Sequence, residues 1–159
     1  MNINLIAVGK LKEPYWREAV AEYSKRLSRY CKLNIIEIPD EPTPDNASPA
    51  LAEQIMGREA ERILKAIPGS SYIVALAIQG KTFDSVTFAG KLAQLSLSGL
   101  SDFTFIIGGS LGLAPGVLNR ADLELSFSDL TFPHQLMRVI LLEQIYRAFR
   151  IQNHEPYHK

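Results

Sequence analysis

Three stretches gather groups that could hold or change a ligand. Gly108 to Leu113, GGSLGL, follows an apolar run; Leu125 to Phe132, LSFSDLTF, sets Ser126, Ser128, Asp129 and Thr131 just ahead of a helical segment with His134 in its first turn; and Gln152 to Lys159, QNHEPYHK, crowds ionisable and aromatic groups at the carboxy terminus. Two adjacent glycines either let backbone approach a flat ligand closely or simply allow a tight strand-to-turn transition. Polar residues ahead of a helix leave free N–H groups that can hold a ligand's acceptors; capping explains one of the four, not all of them. In the tail, Tyr157 is suited to stack on a base, while His158 and Lys159 can meet phosphate or a reacting edge. The alternative is an ordinary frayed end. GGSLG lacks the Lys-Ser/Thr of a P-loop and the spacing of GxGxxG, and there is no convincing Ser/His/Asp spacing, no HExxH and no cysteine pair. Nucleotide hydrolysis and metal catalysis therefore have no support.

The elements that would position these groups alternate. Ile3 to Val8, ending in Gly9, reads as a buried strand; Pro14 opens a helix that runs to about Arg29 on Tyr15, Trp16, Ala19, Val20, Tyr23 and Leu27; and Leu33 to Ile38 returns to strand. Pro39 to Pro49 is too proline-rich for helix or central strand, and is either a plain connector or a lid. Ser48 and Pro49 cap a helix carried by Leu51, Ile55, Ile63, Leu64 and Ile67 to the Pro68-Gly69 stop. Tyr72 to Ile78 is continuously apolar, as in a central strand covered on both faces, with Gly80 ending it. A shorter helix spans Ser85 to Leu97, Phe103 to Ile107 is a strand, Pro115 to Leu118 is at most a helical turn, and Leu123 to Phe127 is the last strand. This alternation predicts an α/β domain with a parallel sheet and helices on both faces, in which ligands bind outside the carboxyl ends of the strands. Leu76 to Gly80, Gly108 to Gly112 and Phe127 to Phe132 are the three strand ends with suitable loops.

The helix from Pro133 is the most demanding element. At 100° per residue Glu143, Arg147 and Arg150 form one narrow polar stripe, and Met137, Leu141, Leu142, Ile145, Tyr146, Ala148 and Phe149 spread over the remainder. One wall of a sheet does not hide all of that, so a second copy of the chain is expected on the other side, as a homodimer. Arg138 falls on the apolar side, where an unpaired guanidinium is costly; it requires an acidic partner, a carbonyl cage or a ligand.

Length and composition fit these expectations. The 159 residues suit one domain, residues 1–159, able to bury roughly two thirds of its unfolded surface. Hydrophobic residues at 47% and charged residues at 21% are ordinary for a soluble domain. No apolar run approaches the ~20 residues of a membrane span, and MNINLIAVGK has neither the basic start nor the cleavage site of a signal peptide. A single cysteine, Cys31, suits the cytosol. The formal net charge of zero gives no general attraction to nucleic acid, so any basic footprint is local: Lys10 to Lys32, or the carboxy-terminal Arg147, Arg150, His154, His158 and Lys159. Each is equally well read as a solvated face.

Taken together, IAVGKLKE (Ile6 to Glu13), FIIGGSLGL (Phe105 to Leu113), LSFSDLTFPHQLMRVILLEQIYRAF and the terminal PYHK closely resemble one family, the SPOUT-class ribosomal large-subunit pseudouridine N3-methyltransferases (the RlmH family). The resemblance covers essentially the whole chain. It implies a carboxy-terminal trefoil knot, which chain-threading rules alone would never suggest, an obligate homodimer in the cytoplasm, and S-adenosylmethionine bound by Leu76, Gly108, Phe127, Ser128, Asp129, Leu130, Thr131 and Phe132. The implied substrate is a pseudouridine in the helix 69 stem-loop of 23S rRNA, in the large subunit or the assembled ribosome, with no metal and no membrane. His134, Arg138, Tyr157 and His158 are the candidates for orienting the base or easing its deprotonation, with Lys159 on phosphate. A knotted methyltransferase for another RNA and a noncatalytic ribosome-associated module are the rival readings. A dinucleotide oxidoreductase is disfavoured because VGKLKEPYW lacks the fingerprint glycines.

Overall fold

The computed structural model describes residues 1–159. Five strands, β1 (Asn2–Val8), β2 (Lys32–Ile38), β3 (Tyr72–Thr82), β4 (Asp102–Ile107) and β5 (Leu123–Ser126), form one parallel sheet in the order β2-β1-β4-β3-β5. Helices α1 (Pro14–Leu27), α2 (Pro49–Ala66), α3 (Ser85–Leu97), α4 (Pro115–Arg120) and α5 (His134–Gln152) alternate with them. Because successive strand residues face opposite sides, the unbroken apolar runs feed two cores. Ile3, Leu5, Ala7, Phe103, Phe105 and Ile107 pack with α1, α3 and α5, while Ile6, Val8, Ile73 and Ile106 pack with α2 and α4. The expected helices on both faces are present, and no helix is long and apolar enough to cross a membrane.

Local chemistry sets the boundaries. Ser48 Oγ accepts the Leu51 N–H at 3.2 Å and Asp84 accepts the Thr87 N–H at 2.6 Å, each satisfying a donor in the first turn of its helix. Several expectations need correction. The first helix stops at Leu27, where the Tyr30 and Cys31 N–H groups fold back onto the Leu27 carbonyl, and the last strand stops at Ser126. Pro115 starts a longer helix than one turn, reaching Arg120. Leu64 is exposed. β3 is an interior strand between β4 and β5 with Ile73 and Val74 buried on opposite faces, as expected, but Gly80 does not end it; the strand slips register against β5 between Leu76 and Lys81 and continues to Thr82. A glycine there marks close backbone approach, not termination.

The greasy side of α5 is covered mostly by its own chain. Leu141, Leu142, Ile145, Tyr146, Ala148 and Phe149 are buried in the core shared with α1 and α3. A second copy is therefore not required to hide these residues, because two neighbouring helices and the sheet do so. The Gly80 contact gives a direct stability test. A Cβ at Gly80 would stand 2.7 Å from the Glu124 carbonyl, so Gly80→Ala should push β5 away and lower stability by ~2–3 kcal/mol, read as a reduced urea midpoint. An unchanged midpoint would show that the two strands part freely.

Candidate active site

The three strand ends singled out from the sequence converge. A cavity of about 750 Å³ opens at the carboxyl ends of β3, β4 and β5, a size in the range of small-molecule sites. Leu76, Gly108, Phe127, Ser128, Leu130, Thr131 and Phe132 all line it, as does His134; Asp129, exposed between Ser128 and Leu130, is not among the lining residues. Seven of the eight expected contacts thus meet in one place.

Each wall has a physical reason for its shape. Gly108 lies so close to Gly112 that a Cβ would stand 2.8 Å from the Gly112 carbonyl, and Gly112 itself has φ +83° and donates its N–H to the Gly109 carbonyl at 3.0 Å. The glycine loop is folded tightly back on itself, presenting bare backbone to the cavity. Opposite, Ser126 Oγ donates to the Ser128 carbonyl at 3.2 Å, and Ser128 Oγ accepts the Leu130 N–H at 3.0 Å. These hydroxyls shape the loop. Pro133 stands at the cap of α5 with no side-chain hydrogen bond to the helix, which leaves the first-turn N–H groups free toward the cavity that Pro133, His134 and Gln135 line. A cavity with apolar walls, a glycine cradle and unpaired donors fits a flat, polar-edged ligand.

Arg138 has two of its three alternatives at once. Its side chain is 1% exposed, with Nη1 on Glu37 Oε2 at 2.8 Å and Nη2 on the carbonyls of Val8 and Gly9 at 3.1 and 2.6 Å. Glu37 Oε2 also accepts the Leu11 N–H at 3.1 Å. Both terminal nitrogens are thus engaged at the end of β1, which fixes the start of α5, while Nε is buried without a partner. His134 sits beside it, its Cε1 3.5 Å from where a Cβ of Gly9 would lie. Its Nδ1 is buried without a partner. Burial, and secondarily the Arg138 charge, hold the His134 imidazole below its ordinary proton affinity, with Asp40 opposing.

The tail is docked rather than frayed. Glu155 pairs with Arg150 at 2.9 Å and Arg29 at 3.3 Å and accepts from the Tyr30 hydroxyl. The Tyr157 hydroxyl donates to Glu143 at 2.9 Å, its ring meets Tyr146 edge-on, and the Arg147 guanidinium lies 4.7 Å from the ring centre. Burial and the Glu143 bond push the Tyr157 phenol up to about 12. The stripe Glu143, Arg147 and Arg150 is thus the tail's landing strip. His158, exposed, lines a smaller cavity of about 390 Å³ that shares Leu125 and Phe127 with the first. Within this chain His134 and the glycine loop come together, while Tyr157, His158 and Lys159 stay outside the main cavity.

A family model described as "Predicted SPOUT methyltransferase" matches residues 1–158. The chain belongs to the SPOUT methyltransferase family. Full-length relatives named ribosomal RNA large subunit methyltransferase H include those of Bifidobacterium adolescentis at 60% identity and Leuconostoc mesenteroides and Clostridium kluyveri at 58%, each aligned over 100% of both chains. Two solved structures share this chain's fold at low identity. A probable methylase family protein from Haemophilus influenzae has a TM-score of 0.52 at 12% identity, covering 96% of this chain and 66% of its own. A putative methyltransferase from Legionella pneumophila with bound cofactor SAM has a TM-score of 0.51 at 13%, covering 94% and 66%.

The buried imidazole predicts a pH signature. The unfolded chain takes up the His134 proton first, near 6.5, so this residue's contribution to stability is complete above that value and is lost as pH falls toward the lower folded value. NMR titration of the His134 ring should give a midpoint below 6.5, and His134→Gln should flatten the stability loss on mild acidification. A midpoint at or above the ordinary value would show the ring to be solvated or paired.

Proposed function

We propose that this chain transfers a methyl group from S-adenosylmethionine to N3 of a pseudouridine in 23S rRNA, in the helix 69 stem-loop of the large ribosomal subunit, and that it works as a cytoplasmic homodimer. One observation carries the reading: the chain matches the SPOUT family over residues 1–158 and folds seven of the residues that the family resemblance assigns to the cofactor around a single cavity. The relatives' shared name supports ribosomal RNA as the substrate. The cofactor, when bound, supplies an electrophilic methyl group on a sulfonium.

This chain's residues do the rest. The Gly108 backbone admits a flat ring, Leu76, Phe127 and Phe132 exclude water, and the free N–H groups at the start of α5 hold acceptors. Holding donor and acceptor in line is worth ~7 to 11 kcal/mol, which makes positioning the dominant contribution. N3 must lose its proton. His134, which lines the cavity and whose imidazole is held below its ordinary proton affinity by burial, is the group best prepared to accept a hydrogen bond from the base. Arg138 acts behind it, by holding α5.

Tyr157, His158 and Lys159 are proposed to serve a substrate held by a neighbouring copy, with Tyr157 stacking on the base and Lys159 on phosphate. Support for the dimer comes from Leu136 and Ile140, half-buried on α5 yet packed into neither core, and from Ile78 and Leu130, exposed around the cavity. The knotted carboxy-terminal part is proposed on the family match over residues 1–158 alone.

Two tests follow. Removing Tyr157 to Lys159 should abolish methylation of ribosomes from a strain lacking the enzyme while leaving the calorimetric affinity for S-adenosylmethionine within about threefold, ~0.7 kcal/mol; a fully active truncated chain overturns the tail's role. Gly108→Ala should instead eliminate cofactor binding, because its Cβ collides with Gly112. Native affinity in that variant would remove the cavity from the mechanism.

A further inference from the structure

Glu59 is a buried acid that the proposed reaction does not use. It projects from α2, is 5% exposed, and does not line the cavity. One carboxylate oxygen, Oε2, accepts the Glu41 N–H at 3.2 Å. Both oxygens lie behind the glycine loop, 3.3 and 3.4 Å from the place a Cβ of Gly109 would occupy, with Val8 at 3.2 Å beside them, so they fill the space that the missing side chain leaves. No cation pairs with it. Arg62, one turn along α2, turns instead to Glu41 and to the Pro39 carbonyl at 2.8 Å, and Arg58 reaches Glu41 at 3.7 Å. Burial raises the proton affinity of Glu59; the Glu41 N–H bond opposes this, the charges of Asp40 and Glu41 add to it, and the more distant Arg62 charge opposes it.

An unpaired buried carboxylate is an expensive way to fill space, since a leucine of similar size would cost nothing in desolvation. What a leucine lacks is the acceptor that ties the first residues of the proline-rich segment to α2, at the point where the Glu59 carboxylate stands behind Gly109. The other side of that loop is the cofactor cavity, where Gly108 to Gly112 form the wall. The loop's own closure is slight, one Gly109–Gly112 bridge. Behind it stand Val8 and the Glu59 carboxylate.

We propose that Glu59 is a positioning residue for the methyl-donor site, bracing the Gly108–Gly112 loop against the Asp40-Glu41 turn so that cofactor affinity depends on a side chain that never touches the cofactor. The inference rests on the methyl-donor reading above. It is tested with E59L, which keeps volume and removes the acceptor, and E59Q, which keeps the acceptor, by calorimetry with S-adenosylmethionine, thermal melting and steady-state methylation. E59L should melt no lower than the native protein yet raise the cofactor Kd and KM about tenfold or more (~1.4 kcal/mol), with kcat at saturating cofactor within about threefold; E59Q should bind within about threefold of native. Native affinity in E59L, an unfolded E59L, a loss confined to kcat, or an E59Q as weak as E59L each overturns the proposal. Absence of binding by the unsubstituted chain would instead refute the methyl-donor reading itself.

Discussion

The fold turns on one buried cation. Arg138, on the inner side of α5, spends its guanidinium on Glu37 of β2 and on the two carbonyls that end β1. Taking such a charge out of water costs several kcal/mol, and only well-aligned charged and carbonyl acceptors offset it. That requirement allows one placement of the helix start. Since Glu37 also holds the Leu11 N–H, the β1–α1 turn is fixed by the same carboxylate, and Gly9, at φ +88°, gives the turn its left-handed residue.

From this knot of contacts the site follows. With α5 anchored at Arg138, one turn upstream lies His134, packed on Gly9, and ahead of it the uncapped helix start and the loop from Phe127. The glycine loop after β4 faces them across the cavity, Glu59 backs that loop, and Gly80 lets β3 and β5 close from the third side. The rest of α5 runs between α1 and α3 to carry the tail, whose Glu155 and Tyr157 settle on the charges left along its polar stripe. Stability and site share the same helix.

Much of this is legible in the residues. The alternating elements, the two-sided cover of the sheet, the Ser48 cap and the three loops of the cavity follow from periodicity and turn chemistry, and Arg138 announces itself by standing on an apolar face. The family resemblance supplied the cofactor and substrate. What escaped was long-range. Gly80 reads as a strand end because nothing local reveals that β5 will lie against it, and the cover of α5 by α1 and α3 depends on the order of strands, not on α5's own pattern. Glu59 carries no sequence signal beyond being an acid at a helix position facing the core, between Ile55 and Ile63.

The most direct test of this account is the cofactor affinity of Arg138→Lys, which keeps the charge but not the fork that grips Glu37 and two carbonyls together. With folding verified by circular dichroism, calorimetry should show S-adenosylmethionine binding weakened on the order of tenfold, ~1.4 kcal/mol. A folded Arg138→Lys protein that binds as the native chain does would contradict the claim that this buried cation sets the site.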